Sequence, residues 1–201
     1  MMWARVRVGA LGGLICTLAL GQVIEFESRG LHYQTLTRRG VTVMYAPMPA
    51  HVREFTILQV AVSNGAKSPY TIRPEDFRYV RADGSVIQAS PAREVVNMLL
   101  EKGSRNDVIR LVSAYESGMY GIQRMLSHNG YEQRRQAALA EVQSTKVKAA
   151  AAASAIALVQ IKLTPGQSTD GAVFFPHEGK PLTGGRVVVN TNTDTFDFKS
   201  E

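Results

Sequence analysis

Ser168 is the serine that most resembles a nucleophile, because glycines flank it in Gly166-Gln167-Ser168-Thr169-Asp170-Gly171. A nucleophile elbow needs Gly-x-Ser-x-Gly, and this spacing differs, so the segment reads as a turn built from residues that favour turns. His32, His51, His128 and His177 are scattered without the helical or hairpin spacing of paired metal ligands, and each reads as a surface or loop residue. Asn190, Asn192, Asp194 and Glu201 fall at positions 1, 3, 5 and 12 of a calcium-loop register. Thr195, however, stands where that loop needs glycine, and Phe196 and Phe198 read as a buried strand face. Glu75 and Asp76 point to opposite sides of an extended chain, so they do not share a substrate. Arg105, Asp107, Tyr115 and Glu116 could line a cleft along one helix, although an ordinary polar helix face explains them equally well. No catalytic residue, metal ligand or cofactor-binding residue is assigned.

The chain has 201 residues and an ordinary balance of 45% hydrophobic and 20% charged residues, enough for one substantial core or two small ones. Arg5 and Arg7 precede an apolar run from Val8 to Leu20, and Ala19-Leu20-Gly21 has the small-x-small form of a signal-peptidase site. Residues 1–21 therefore read as an export signal cut before Gln22, with an uncleaved anchor over residues 8–24 as the alternative. The sole cysteine, Cys16, lies in this segment, preceded by Ile15 where a lipoprotein signal needs a small residue. The mature chain then has no thiol chemistry, and its charge falls from +6 to +4 with the loss of Arg5 and Arg7. That mild excess does not make a nucleic-acid footprint, and no aromatics interleave with the basic residues. The expected location is the periplasm or cell envelope.

The elements follow from periodicity. Residues 31–49 read as strand, turn at Arg38-Arg39-Gly40, and strand, ended by Met48-Pro49. Val52 to Asn64 is the strongest strand, with Leu58, Val60 and Val62 on one face and Phe55, Ile57 and Ala61 on the other, as in a central strand. Short strands follow around Tyr70 and Phe77, with a hairpin signal at Asp83-Gly84. After Pro91 the period becomes helical: Ala92 to Glu101, then Val108, Leu111, Tyr115, Met119, Ile122 and Leu126. Tyr131 to Val159 lacks Pro and Gly and predicts one helix of roughly 28 residues, about 40 Å long. Its seam of Leu139, Val142, Ala149, Ala153 and Ile156 predicts an antiparallel neighbour in the preceding helix. Leu163-Thr164-Pro165-Gly166 then leads through a turn into the buried run Ala172 to Phe175, with further strands at 186–189 and 196–198. The expected architecture is mainly β with an α insertion. Residues 22–90 and 159–201 form one discontinuous sandwich, and residues 91–158 form a helical hairpin.

Phe55 to Asn64, Tyr70-Thr71-Ile72-Arg73-Pro74-Glu75-Asp76-Phe77, Asp83-Gly84, and Leu163-Thr164-Pro165-Gly166 through Gly171-Ala172-Val173-Phe174-Phe175 occur in that order. Together they resemble the small immunoglobulin-like domains of unknown function on exported bacterial lipoproteins and surface proteins. The resemblance implies an immunoglobulin-like β-sandwich and extracytoplasmic binding or assembly, and it transfers no catalytic residue. The helical block and the missing lipobox depart from it.

Function is expected to reside in that helical specialisation. Val108, Leu111, Tyr115, Leu139 and Val142 would pair along the hairpin and leave one apolar side for another envelope protein or for self-association. Arg134 and Arg135 would add positive charge facing an acidic partner or an anionic membrane surface, as would Lys146 and Lys148. The alternative is a ligand-binding protein or enzyme with a pocket between sandwich and helices.

Overall fold

The protein is seen in a computed structural model that describes residues 21–28, 30–119, 130, 131, 133, 134, 136, 144–177 and 182–199. It is mainly β, with antiparallel sheets and a layer of helices. The strands are β1 (Ile24–Ser28), β2 (Leu31–Arg38), β3 (Val41–Val52), β4 (Phe55–Asn64), β5 (Tyr70–Ile72), β6 (Phe77–Val80), β7 (Val86–Gln88), β8 (Ile161–Leu163), β9 (Ser168–Pro176), β10 (Arg186–Asn190) and β11 (Thr195–Asp197). Between β7 and β8 lie α1 (Ala92–Lys102), α2 (Arg105–Met119) and α3 (Thr145–Ile156). Five strands form one sheet in the order β1-β2-β3-β4-β9, four form a second in the order β11-β10-β6-β7, and β5 pairs with β8. Strands from before and after the helices are thus neighbours within both larger sheets, β4 beside β9 and β6 beside β10.

β4 divides the molecule into its layers. Leu58, Val60 and Val62 face a core shared with Phe77, Tyr79, Val189 and Phe196 of the second sheet. Phe55, Ile57 and Ala61 face the opposite way, into a core shared with Leu99, Leu111 and the alanines of α3. The two-sided apolar pattern read from the sequence therefore serves a sheet–sheet–helix stack, because each alternate side chain meets a different layer.

The strand–turn–strand around Pro165-Gly166 is present. Gly166 has φ +82°, and the Gln167 amide donates to the Thr164 carbonyl at 3.0 Å, closing the turn. Asn64 secures it: its backbone exchanges bonds with Gln167 and Gly166, while its buried side chain donates to the carbonyls of Ser68 and Leu163 and accepts from the Ala66 amide.

Three expectations are corrected. Pro49 does not end its strand: β3 runs to Val52, with an irregular register between Pro47 and His51, where an interrupted ladder tolerates prolines that lack an N–H. The single helix from Tyr131 to Val159 is broken at Ser144, whose ψ of 122° is extended and whose carbonyl accepts from Lys148 at the start of α3. The Ser144 side chain makes no capping bond, so the interruption lies in its extended backbone. The helical block is also wider than the expected two-helix hairpin. α3 packs on both α1 and α2, while α2 also meets β3 and α1 meets β9. Ala149, Ala150, Ala152, Ala153 and Ala155 are all buried, because a central helix with small side chains can approach neighbours on several sides.

Both ends of the helical block are tied to β9. The Ser90 amide donates to the Phe174 carbonyl at 2.8 Å on entry, and the Leu158 amide donates to the Ala172 carbonyl at 2.9 Å on return. Gly171 permits the second junction, since a Cβ there would lie 2.5 Å from the Leu158 Cα.

Candidate functional site

A groove of about 290 Å³ opens where β1, β2 and β3 run side by side, lined by Glu25, Phe26, Glu27, His32, Tyr33, Gln34, Tyr45 and Pro47. The register explains its chemistry. Glu25 pairs with Gln34, which pairs with Tyr45, and Glu27 pairs with His32, so alternation places these polar side chains on one face. Phe26 pairs with Tyr33 on the other face, and their rings stack at 5.2 Å.

A chain of hydrogen bonds crosses the polar face. The Tyr45 hydroxyl donates to Gln34 Oε1 at 2.6 Å, and Gln34 Nε2 donates to Glu25 Oε1 at 2.7 Å. Burial pushes the Tyr45 phenol up, with Tyr79 and Glu25 adding to the effect, so the hydroxyl stays protonated as the donor at the base of the chain. Tyr45 is held from behind by the Phe198 ring at 4.9 Å, edge to face. Among the described residues β1 has no neighbour on its outer side, and Ile24 and Phe26 are 60% and 42% exposed. The site therefore offers an open strand edge, apolar on one side and acidic on the other, suited to holding an extended chain.

The sequence-predicted partner residues lie elsewhere. Leu111 is wholly buried in the sheet–helix core, and Val108 packs against that core half-buried, so neither forms the expected open stripe. The physical cause is that α3 and the sheet pack on the face of α2 that carries Leu111 and Val108. Arg134 donates through Nε and Nη2 to the Ala155 carbonyl, joining the segment after Gly130 to α3. The Tyr115 side chain, Arg135, Leu139 and Val142 lie outside the described residues.

The polar set proposed for a cleft is not convergent around one cavity. Arg105 is exposed on α2, Glu116 accepts from the Tyr131 hydroxyl at 3.3 Å, and Asp107 is buried in an inter-element lock. Asp107 Oδ2 accepts from Arg53 Nε at 3.0 Å and Nη2 at 2.8 Å, and from the Ser104 amide and hydroxyl, both at 2.8 Å. Arg53 also donates to the Lys102 carbonyl. Burial pushes the Asp107 carboxyl up, but the Ser104 and Arg53 bonds outweigh it and hold it below the usual carboxylate value. The lock joins the β3–β4 turn to the α1–α2 turn and favours the ionised form of Asp107, a poor proton carrier.

Beside it the structure brings two of the scattered histidines together. His51 and His177 lie edge to face with centroids 5.5 Å apart, His51 Nδ1 is 3.3 Å from Thr56 Oγ1, and His177 Nε2 is 3.2 Å from the Arg53 carbonyl. Among the described residues, no group of three or more His, Cys, Asp or Glu side chains is placed to hold a metal ion. In the calcium-like register, Arg73 Nη2 donates to Asn192 and Arg39 lies 3.4 Å from Asp194, so cationic side chains already approach those oxygens. Glu201 and His128 lie outside the described residues.

Sequence reasoning missed β1 and the groove. Ile24 is part of the sheet, and the signal was the alternation Ile24-Glu25-Phe26-Glu27 before Gly30. No helix of the described residues is long and apolar enough to cross a membrane.

No protein-family model matches the chain, and no curated protein matches it. Among solved structures, the chain shows a slight likeness to the yjhA protein from Bacillus subtilis, at 9% identity and a TM-score of 0.34, over 85% of this chain and 83% of that one.

Proposed function

We infer that this is a non-enzymatic binding or assembly protein of the bacterial cell envelope, exported by its leading segment and built on an immunoglobulin-like sandwich with a helical layer. It docks its partner at the groove beside β1. The observation that carries this reading is the open β1 edge with its stacked Phe26–Tyr33 pair and acidic rim. Main-chain groups on such an edge supply affinity, and alternating side chains supply selectivity. The helical layer supports the sheet through Leu99, Leu111 and Ile156, which are buried against it.

Affinity purification from the native envelope after mild crosslinking tests the reading, comparing the wild type with Phe26→Ala and Glu27→Lys variants that retain wild-type melting. A reproducible partner that crosslinks to β1–β3 and is lost from both variants is expected. Recovery of the same proteins by all three chains, or of none by the wild type, overturns it. Mass measurement of the exported form is expected to place the mature N-terminus at Gln22.

One observation favours a ligand pocket between sandwich and helices. Gln59 is 1% exposed on the helix-facing side of β4, and its Nε2 has no hydrogen-bond partner among the described residues, although its Oε1 accepts from the Tyr33 hydroxyl. A small polar ligand would satisfy that amide. Gln59→Leu decides: a gain in stability with no change in binding to any small molecule removes this reading.

A further inference from the structure

Resting on the docking reading, we propose that the partner is an extended protein segment in which Lys or Arg alternates with apolar residues, and that it adds to the five-stranded sheet as a strand along β1. β1 is the longest open edge among the described residues. Across the same sheet, β9 is bridged by Ser90 and Ala157, and the edges of the second sheet, β7 and β11, have three residues each. Short and bridged edges resist pairing, whereas Ile24, Glu25, Phe26 and Glu27 of β1 present main-chain donors and acceptors along an edge with no neighbouring strand among the described residues.

The side chains of β1 then specify what can pair. A strand laid beside it puts alternate residues next to Glu25 and Glu27 on one face and next to Ile24 and Phe26 on the other. The first face selects cations, and the groove beyond it extends the polar lining through His32, Gln34 and the Tyr45 hydroxyl. The second selects apolar side chains, which cover the exposed Ile24 and Phe26. The acidic pair runs against the net charge of the chain, +6 over its whole length, so it is a local complement to a basic partner and not part of a general acidity.

The same residues disfavour the simplest rival, a second copy of this chain. A two-fold antiparallel pairing that overlaps all five residues centres on Phe26 and sets Glu25 of each copy opposite Glu27 of the other. Like charges directly opposite across strands are destabilising, and charge on an edge is a recognised way of preventing self-pairing.

The experiment uses the full chain and three synthetic peptides of nine residues: alternating Lys and Val, alternating Glu and Val, and the Lys–Val composition in two blocks. Affinity is read by fluorescence anisotropy, and the site by amide hydrogen exchange. The alternating Lys–Val peptide is expected to bind roughly tenfold or more tightly than the other two, to weaken as salt rises, and to slow exchange at β1. Glu25→Lys combined with Glu27→Lys is expected to shift the preference to the Glu–Val peptide. Should the double variant fold poorly, Glu27→Lys alone is expected to reduce the preference severalfold. Equal binding of all three peptides, binding without protection of β1, or a wild-type dimer joined through β1 would each overturn the proposal. If crosslinking instead maps an envelope partner to β1 through a segment lacking the basic alternation, the partner chemistry fails while the docking reading stands. A partner mapped away from β1 defeats both.

Discussion

Arg53, held at φ +55° in the turn between β3 and β4, reaches Asp107 in the first turn of α2 with both Nε and Nη2 on a single carboxylate oxygen, at 3.0 and 2.8 Å. Asp107 is 4% exposed and closes the Ser104 cap of α2, so one carboxylate fastens the helical layer to the central hairpin and shapes the helix start. Asp107→Ala is expected to cost about 1–3 kcal/mol, because it loses the cap and the bonds to the solvent-exposed Arg53. Arg53→Gly is expected to be milder than Arg53→Ala by about 1 kcal/mol, since glycine relieves the left-handed backbone while both lose the ion pair. Urea denaturation of the three variants and the wild type checks the order.

Acid titration should separate two carboxylates that look alike in geometry. Asp76, 3.1 Å from Arg73, is pushed above the usual 3.8 because burial outweighs its Arg73 bonds, whereas the bonds of Asp107 hold it below that value. For Asp107, whose folded pKa is depressed, the stabilisation is present above the unfolded value near 3.8 and is lost as pH falls through the folded pKa. For Asp76, whose folded pKa is raised, the contribution is greatest below 3.8 and is lost as pH rises through the folded pKa. Carboxyl carbon NMR should show Asp76 protonating first on acidification. Asp107→Asn should flatten the acid limb of the stability curve, and an unchanged limb would remove Asp107 from the lock.

Gly171→Ala is expected to destabilise by about 3 kcal/mol, lowering Tm by roughly 6–12 °C, since the new Cβ meets Leu158 backbone that is tied to β9. Calorimetry reads this directly. Gly166→Ala, with open space around its Cβ but φ +82°, should cost about 1–2 kcal/mol from backbone strain alone.

Leu111→Ala should cost about 2–5 kcal/mol, while Ile109→Ala, two residues away and 51% exposed, should stay within about 0.5 kcal/mol. Equal, small effects would return Leu111 to a surface role.

Removing residues 91–157 should not leave a folded sandwich. The deletion uncovers Phe55, Ile57, Phe174 and Tyr33 on the helix-facing side of the sheet, and it removes the bridges of Ser90 and Ala157 to β9 or their register. The shortened chain is expected to aggregate or to bind a hydrophobic dye strongly. A soluble chain with a sharp melting transition would mean that the sheets need no helical cover.

By itself the sequence determined what depends on neighbours along the chain. The alternation in Phe55 to Asn64 marked a strand buried on both faces, and Leu163-Thr164-Pro165-Gly166 marked the turn that leads into β9. Those features follow from backbone sterics and side-chain period, which few residues suffice to specify. The tertiary structure alone decided which layer each face of β4 meets, that α3 packs on both α1 and α2, and that Leu111 is core. It also decided that Arg53 meets a carboxylate 54 residues away and that His51 lies against His177. An apolar stripe records that something must cover it but not what does, and a charged side chain does not record its partner. Those choices come from packing sheets and helices together, and they left the β1 edge open beside an acidic groove.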